Sequence, residues 1–214
     1  MPLQLPKLIA TSVVRGSEQG ESHGGVYTID FQTQTSEQHI DWNSSDIDWA
    51  GRGADRGLRG IAFDGDDIYI AASDELFCFN RDFNLQHSRR NRYLKHCHEI
   101  CRMGRKLLLT STGHDSLLAY DLDEKAFTWG FHLQKIADKW SGFTFDPCRR
   151  SGPGRHNEHH INMVHVDSNG IFLSGLRTNA LLHLTHDHEV QVVCSLPAGT
   201  QNGRPYRARG GFND

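Results

Sequence analysis

The sequence has no long apolar run. No stretch approaches the roughly 18–20 residues that cross a bilayer as a helix, so no membrane span is expected. MPLQLPKLIATSVV lacks a charged start followed by an apolar stretch, so no secretory leader is expected either. Cysteine is scarce and odd in number. The five (Cys78, Cys97, Cys101, Cys148, Cys194) show no disulfide-scaffold spacing. Cys97 and Cys101 have no second close pair, which argues against a zinc ribbon and for core or rim thiols. These absences together point to a reduced, cytoplasmic chain.

An excess of positive charge is also missing. Lys and Arg number 23 against 26 Asp and Glu, a formal net charge of −3, so no bulk attraction to nucleic acid or to an anionic membrane is expected. The Gly/Arg-rich stretch from Gly51 to Gly57 contains Asp55 and reads as a solvated loop rather than an RNA-binding segment. No Gly-x-Ser-x-Gly motif occurs, so Ser73 and Ser111 read as turn formers rather than nucleophiles.

What is present is glycine, 21 residues, and histidine, 14 residues. The glycines punctuate a repeat. His98 to Asp121 reads as three short strands: a run opening His98-Glu99-Ile100, then Leu107 to Ser111, then Leu117 to Tyr120 beyond a turn at Gly113-His114-Asp115. Arg59 to Ser73 lies under the first part of this unit without a gap, and His160 to Ser174 with a one-residue adjustment. Third runs follow at Leu76–Phe79, Leu117–Tyr120 and Leu181–Leu184, and fourth runs at Asn84–His87, Ala126–Trp129 and Val190–Val193. Four strands in about 40 residues is the length of one β-propeller blade. A lone four-stranded meander leaves both faces wet, and packing blades around an axis covers them. The alternative is a β-sandwich of unrelated hairpins.

The expected architecture is therefore an all-β propeller in a single domain. It comprises a partial blade over 8–48, blades over 59–90, 98–132 and 160–195, and a partial blade over 201–214. The partial first blade holds a second strand at Leu8–Ser12 and a third at Gly25–Asp30. Residues 133–159 form an insertion, with a short helix expected over Gln134–Trp140 and loop over Asp146–Gly154. A loop of this length is a lid, a binding element or a surface decoration. Three arrangements are open: a longer natural chain, a small ring closed by Gln201–Tyr206 against Leu8–Ser12, or a second copy capping the exposed edge.

The aligned units carry a resemblance. RGIAFDGDDIYIAASDELFCFN and HEICRMGRKLLLTSTGHDSLLAYDL resemble the six-bladed propellers of the NHL-like and streptogramin-lyase-like superfamily. HINMVHVDSNGIFLS and QNGRPYRARGGFND are similar to a subgroup of bacterial propellers whose successive blades open with histidine and a small polar residue. The likeness runs from about residue 8 to 214. It implies the fold but no single activity, because the superfamily holds lyases, hydrolases and pure binding modules. The sequence departs from it by about two blades, and by Gln201 where histidine fits the pattern.

Arg59, His98, His160 and Gln201 lead successive units. A first strand lines the central channel, so these residues should converge near one rim. Two chemistries are open there. In the first, Arg59, His98, His160, Gln201 and Asn202 bind a small polar anion, with His98 or His160 as general acid or base if the protein is an enzyme. In the second, His96, His98 and His160 hold a divalent zinc or manganese ion in a lyase or hydrolase. A protein-interaction scaffold without chemistry is the third class. In HNEHH, adjacent His159 and His160 should face opposite ways. Trp42, Trp49 and Trp140 are candidates for an aromatic rim or for inter-blade packing.

Overall fold

A computed structural model of the chain describes residues 6–18, 20–43, 57–200 and 203. Of the expected partial blade over 201–214 only Gly203 is described; Gln201 and Asn202, and also Trp49 and residues 51–56, lie outside the described residues.

The protein is an all-β propeller. Its first sheet holds β1 (Leu8–Thr11), β2 (Gly25–Asp30) and β3 (Thr35–Asp41) in that order. The second holds β4 (Leu58–Asp64), β5 (Asp67–Ala72), β6 (Glu75–Phe79) and β7 (Leu85–Arg90). The third holds β8 (Ile100–Met103), β9 (Lys106–Ser111), β10 (Ser116–Asp121), β11 (Ala126–Ile136) and β12 (Lys139–Phe145). The fourth holds β13 (Ile161–Asp167), β14 (Gly170–Gly175), β15 (Ala180–Leu184) and β16 (Val190–Ser195). Each sheet is an antiparallel meander whose strands pair in sequence order. The first-position strands touch in succession, β4 to β8 and β8 to β13, and β4 also meets β1 of the three-stranded first sheet.

Alternation along the middle strands explains why the blades stack. Tyr69 and Ala71 of β5 face the core shared with the third blade, while Ile68, Ile70 and Ala72 face the core shared with the first. In β9, Leu107 and Leu109 join the core toward the second blade and Leu108 the core toward the fourth. In β10, Leu118 and Tyr120 go one way, Leu117 and Ala119 the other. A strand with both faces covered reads as a near-continuous apolar run. KLLLTS and SLLAYD have that composition for this reason.

The insertion differs from expectation. Residues 134–140 form no helix. Instead β11 runs on to Ile136, turns through Ala137 and Asp138, and returns as β12, a fifth strand on the third blade. Both turn residues have positive φ (47° and 66°), the geometry of a tight two-residue hairpin. Local propensity alone suggested a helix, but pairing won. Gly130 sits opposite Phe145, and a side chain there would run into its ring. Gly142 likewise makes room for Phe131. The following loop folds down onto the molecule: Tyr93 Oη donates to the Arg149 carbonyl at 2.9 Å and accepts from the Gly152 amide at 2.8 Å.

Trp42 is buried and meets Phe77 edge-on at 4.9 Å, in the core between the first two blades. It is packing rather than rim.

Candidate functional site

A pocket of about 390 Å³ opens at the start of the innermost strands. It is lined by Arg15, Arg59, His96, Cys97, His98, Asn157, His160, Asn162 and Leu176. The structure thus brings Arg59, His96, His98 and His160 to one place.

Their equivalence differs from that read by laying the units together. Arg59, His98 and Asn162 each stand five residues before the end of their inner strand, at Asp64, Met103 and Asp167. Asn162, not His160, is therefore the counterpart of Arg59 and His98. His160 stands seven before, as do His96 and Gly57. His96 and His160 share the left-handed backbone as well, with φ of 53° and 54°. Laying the units together on their leading histidines hides this equivalence, whereas counting back from the strand ends shows it. Pairing slips between Arg59 and Ile61 in β4 and between Ile161 and Met163 in β13. At the first slip only glycine fits: Gly60 has φ of 55°, and a Cβ there would lie 2.9 Å from the Ile100 side chain and backbone of the next blade.

Local bonds hold each side chain in place. Thr110 Oγ1 accepts from the backbone amides of His98 and Glu99 at 3.1 and 3.0 Å. Cys97 pairs with Ser73 as an isolated bridge, tying the segment to the second blade. His160 is positioned by Asp115, a fully buried residue with φ of 42° in the tight turn after Thr112–His114. Its Oδ1 accepts from the His160 amide at 2.8 Å, and its Oδ2 from the Glu158 and His159 amides at 2.6 and 3.0 Å.

The electrostatics centre on His98. Arg59 Nη1 lies 2.7 Å from His98 Nδ1. A guanidinium can only donate, so Nδ1 accepts and the ring proton resides on Nε2. Burial, followed by the charges of Arg59 and then His160, His96 and Arg15, pushes the His98 pKa down to about 3. The expectation that His98 titrates near working pH is thereby corrected: it is a fixed neutral N–H donor. His160 meets it edge-on, with centroids 5.6 Å apart, and places its Nδ1 3.0 Å from Asn157 Oδ1. Burial pushes the Cys97 thiol up to about 12, so it is no nucleophile at neutral pH.

The expected metal set does not assemble. Among the described residues no group of three His, Cys, Asp or Glu side chains is placed to hold a metal ion. The lining supplies no carboxylate among those residues, and Arg59 both occupies Nδ1 of His98 and adds positive charge. His96, His98 and His160 share a pocket without forming a ligand cage.

Asn162 and Arg15 were missed in the sequence. Asn162 carried a signal, since counting back from the turn Asp167–Gly170 reaches it. Arg15 carried none, because it comes from a polar connection between β1 and β2.

A second groove, of about 320 Å³, lies at the other end of the inner strands, between the third and fourth blades. Met103, Trp129, Val166, Ile171 and Leu184 line it, and none of the expected site residues does. Among the described residues no helix is long and apolar enough to cross a membrane.

Fold and site define a β-propeller with a cationic pocket at one mouth of its axis. Solved propellers resemble it. Streptogramin B lyase is 8% identical with a TM-score of 0.50, the match covering 89% of this chain and 59% of that one. Virginiamycin B lyase from Staphylococcus aureus is 7% identical with a TM-score of 0.46, covering 90% of this chain and 61% of that one. Glutaminyl cyclase from Myxococcus xanthus is 15% identical with a TM-score of 0.43, covering 90% and 77%. This chain spans less than two thirds of the length of the two lyases. At such identities the likeness concerns the fold alone. No protein-family model matches the sequence, and neither does any curated protein.

Proposed function

We propose that the protein binds a small polar anion in the axial pocket. The observation that carries this reading is the make-up of the lining: two guanidiniums, three imidazoles and two amides, with no carboxylate among the described residues. Arginine beside neutral imidazole donors suits a carboxylate or phosphate, because each offers directional N–H groups and the guanidiniums add charge. His98 strengthens the case. Held neutral with its proton on Nε2, it donates a hydrogen bond at any working pH and does not switch off as pH rises.

Thermal melts of the purified chain with phosphate and a panel of sugar acids test this. A ligand of the folded state stabilises by RT ln(1 + [L]/Kd). The expected result is a saturable rise in melting temperature that needs about tenfold more ligand in Arg59→Gln. A flat response across the panel overturns the reading.

A further inference from the structure

We propose that the ligand carries several anionic groups along a short chain, one held in the axial pocket and the next held by the arginine-bearing loop beside it. This rests on the anion reading above and deepens it. The loop over residues 146–156 is fastened along its length. Tyr93 Oη holds the Arg149 carbonyl and the Gly152 amide, and Asn91 Nδ2 donates to the Pro147 carbonyl at 3.2 Å. His114 Nδ1 donates to the Gly154 carbonyl at 2.9 Å, and the His156 amide to the Gly113 carbonyl at 3.0 Å. The loop presents Arg150 and Arg155 to solvent, and Arg92 is exposed on the segment that fastens it. The two segments converge at His114, whose pKa is lowered by burial and by the charges of both Arg155 and Lys95.

The loop leads into the pocket. Asn157, two residues beyond Arg155, lines it, as does His96, the residue after Lys95. Two residues span at most about 7 Å of chain, so Arg155 stands at the rim. The other end of the blades shows why this is not ordinary surface charge. There Arg81 meets Asp66, Arg102 meets Asp64, and Arg105 meets both Asp64 and Asp123. With 26 acidic side chains to 23 basic ones, an exposed cation is expected to find a carboxylate. Among the described residues Arg92, Arg150 and Arg155 have none, because the carboxylates nearest in the chain are engaged: Asp146 with Arg149 at 3.1 Å and Glu158 with His156 at 3.2 Å. Like charges on an anchored loop repel unless an anion lies among them. A single anionic group seated at Arg59 and His98 leaves these guanidiniums unmet, whereas a chain of phosphates or uronates meets both sets. A single-stranded nucleic acid also chains anions, but it draws much of its affinity from aromatic faces. The pocket lining holds no Phe, Tyr or Trp among the described residues.

Calorimetric titration of the full chain at pH 7.5 compares phosphate with tripolyphosphate, and galacturonate with its linear trimer. At least one trimer is expected to bind about tenfold or more tightly than its monomer. In the double variant Arg150→Gln with Arg155→Gln that trimer is expected to weaken about fivefold, the worth of two exposed charge contacts, while its monomer stays within about twofold. Both arginines are exposed, so the variant is expected to fold. A matched pair at the opposite end, Arg81→Gln with Arg105→Gln, removes the same charge and is expected to change neither affinity. The trimer that responds identifies the chain as phosphate or carboxylate. If no trimer exceeds its monomer, if the loop variant leaves both trimers unchanged, or if the two double variants weaken the trimer equally, the loop is no subsite: this inference is overturned and the anion reading stands. If none of the four ligands binds the wild-type chain, the anion reading fails and takes this one with it.

Discussion

Two histidine-rich regions lie side by side at the same end of the molecule, and they differ in where their polar groups point. In the axial pocket, Arg15, Arg59, His96, His98, His160 and Asn162 face a space. Next to it, the rings of His132, His156 and His159 follow one another at 5.9 and 6.4 Å beside buried Asp115, while that of His114 turns toward Tyr93, 5.7 Å away. His132 Nδ1 donates to the His114 carbonyl at 2.8 Å, and His114 Nδ1 to the Gly154 carbonyl at 2.9 Å. His156 sets Nδ1 3.3 Å from Asp115 Oδ2 and Nε2 3.2 Å from Glu158 Oε1. His159 is buried there with its ring 4.7 Å from that of Trp140. A histidine whose partner is a backbone carbonyl or a neighbouring carboxylate fastens a loop, whereas one whose partner is an arginine at a pocket wall is prepared for a ligand. The regions meet in His160, whose amide donates to Asp115 in the second and whose ring lines the axial pocket of the first.

The largest effect expected from breaking this arrangement is at Asp115. Asp115→Ala leaves the amides of Glu158, His159 and His160 without their acceptor. Each buried amide so orphaned costs about 1–3 kcal/mol, and the alanine must also hold a positive φ, so a loss of about 3 kcal/mol or more is expected in urea unfolding. Asp115→Asn keeps one acceptor oxygen, enough for the amides of Glu158 and His159, and tolerates the left-handed backbone, so it should lose less than alanine does. Equal losses would mean that one acceptor oxygen does not hold the loop.

Acid comes next, and it acts on both regions at once. Burial lowers the pKa of His114, His132 and His159 in the second region and, with Arg59 and the neighbouring histidines, pushes that of His98 to about 3 in the first. Unfolding returns each to about 6.5. The unfolded chain therefore binds more protons as pH falls through 6.5, so stability is full above that pH and declines from about pH 6.5 toward 3. Urea midpoints between pH 8 and 4 measure it. A midpoint that stays constant down to pH 4.5 would show that these rings are not held neutral.

Most of the fold is legible in the sequence, and the reason is local. Period-2 patterns, the tight turns at Asp64–Asp67, Met103–Lys106 and Asp167–Gly170, and the doubled apolar runs of β5, β9 and β10 all lie within one blade. The fifth strand was not legible, because Gln134 to Trp140 has ordinary helical composition and only the pairing of Gly130 with Phe145 and of Gly142 with Leu133 reveals the hairpin. The site was partly legible. Arg59, His96, His98 and His160 stand out as polar residues ahead of inner strands. Matching the units on their leading histidines put His160 in the place of Asn162, although counting back from the turn at Asp167–Gly170 reaches Asn162. Asp115 looked like a turn former. Its role as the acceptor for three amides more than forty positions away depends on tertiary contact and has no sequence signal.

Arg59→Gln probes the pocket alone. It removes the donor at 2.7 Å from His98 Nδ1 and the second-largest cause of the lowered His98 pKa. The imidazole should titrate upward from about 3 in NMR while staying below 6.5, since burial remains the larger cause. Phosphate affinity should fall about tenfold, the loss of one charge-assisted hydrogen bond. An unchanged His98 titration would show that the guanidinium does not donate to this ring.

The smallest effect is expected from the same substitution at another arginine. Arg105 lies at the opposite end of the blades and pairs with Asp64 and Asp123, each at 2.7 Å. Its charge is met by two carboxylates on the surface, where ion pairs add little. Arg105→Gln should therefore leave the urea midpoint and phosphate affinity indistinguishable from wild type. The control is informative because both variants change net charge equally. If Arg105→Gln weakened phosphate as much as Arg59→Gln, the anion would be responding to the overall field of the protein, and the absence of carboxylates from the described pocket lining would explain nothing.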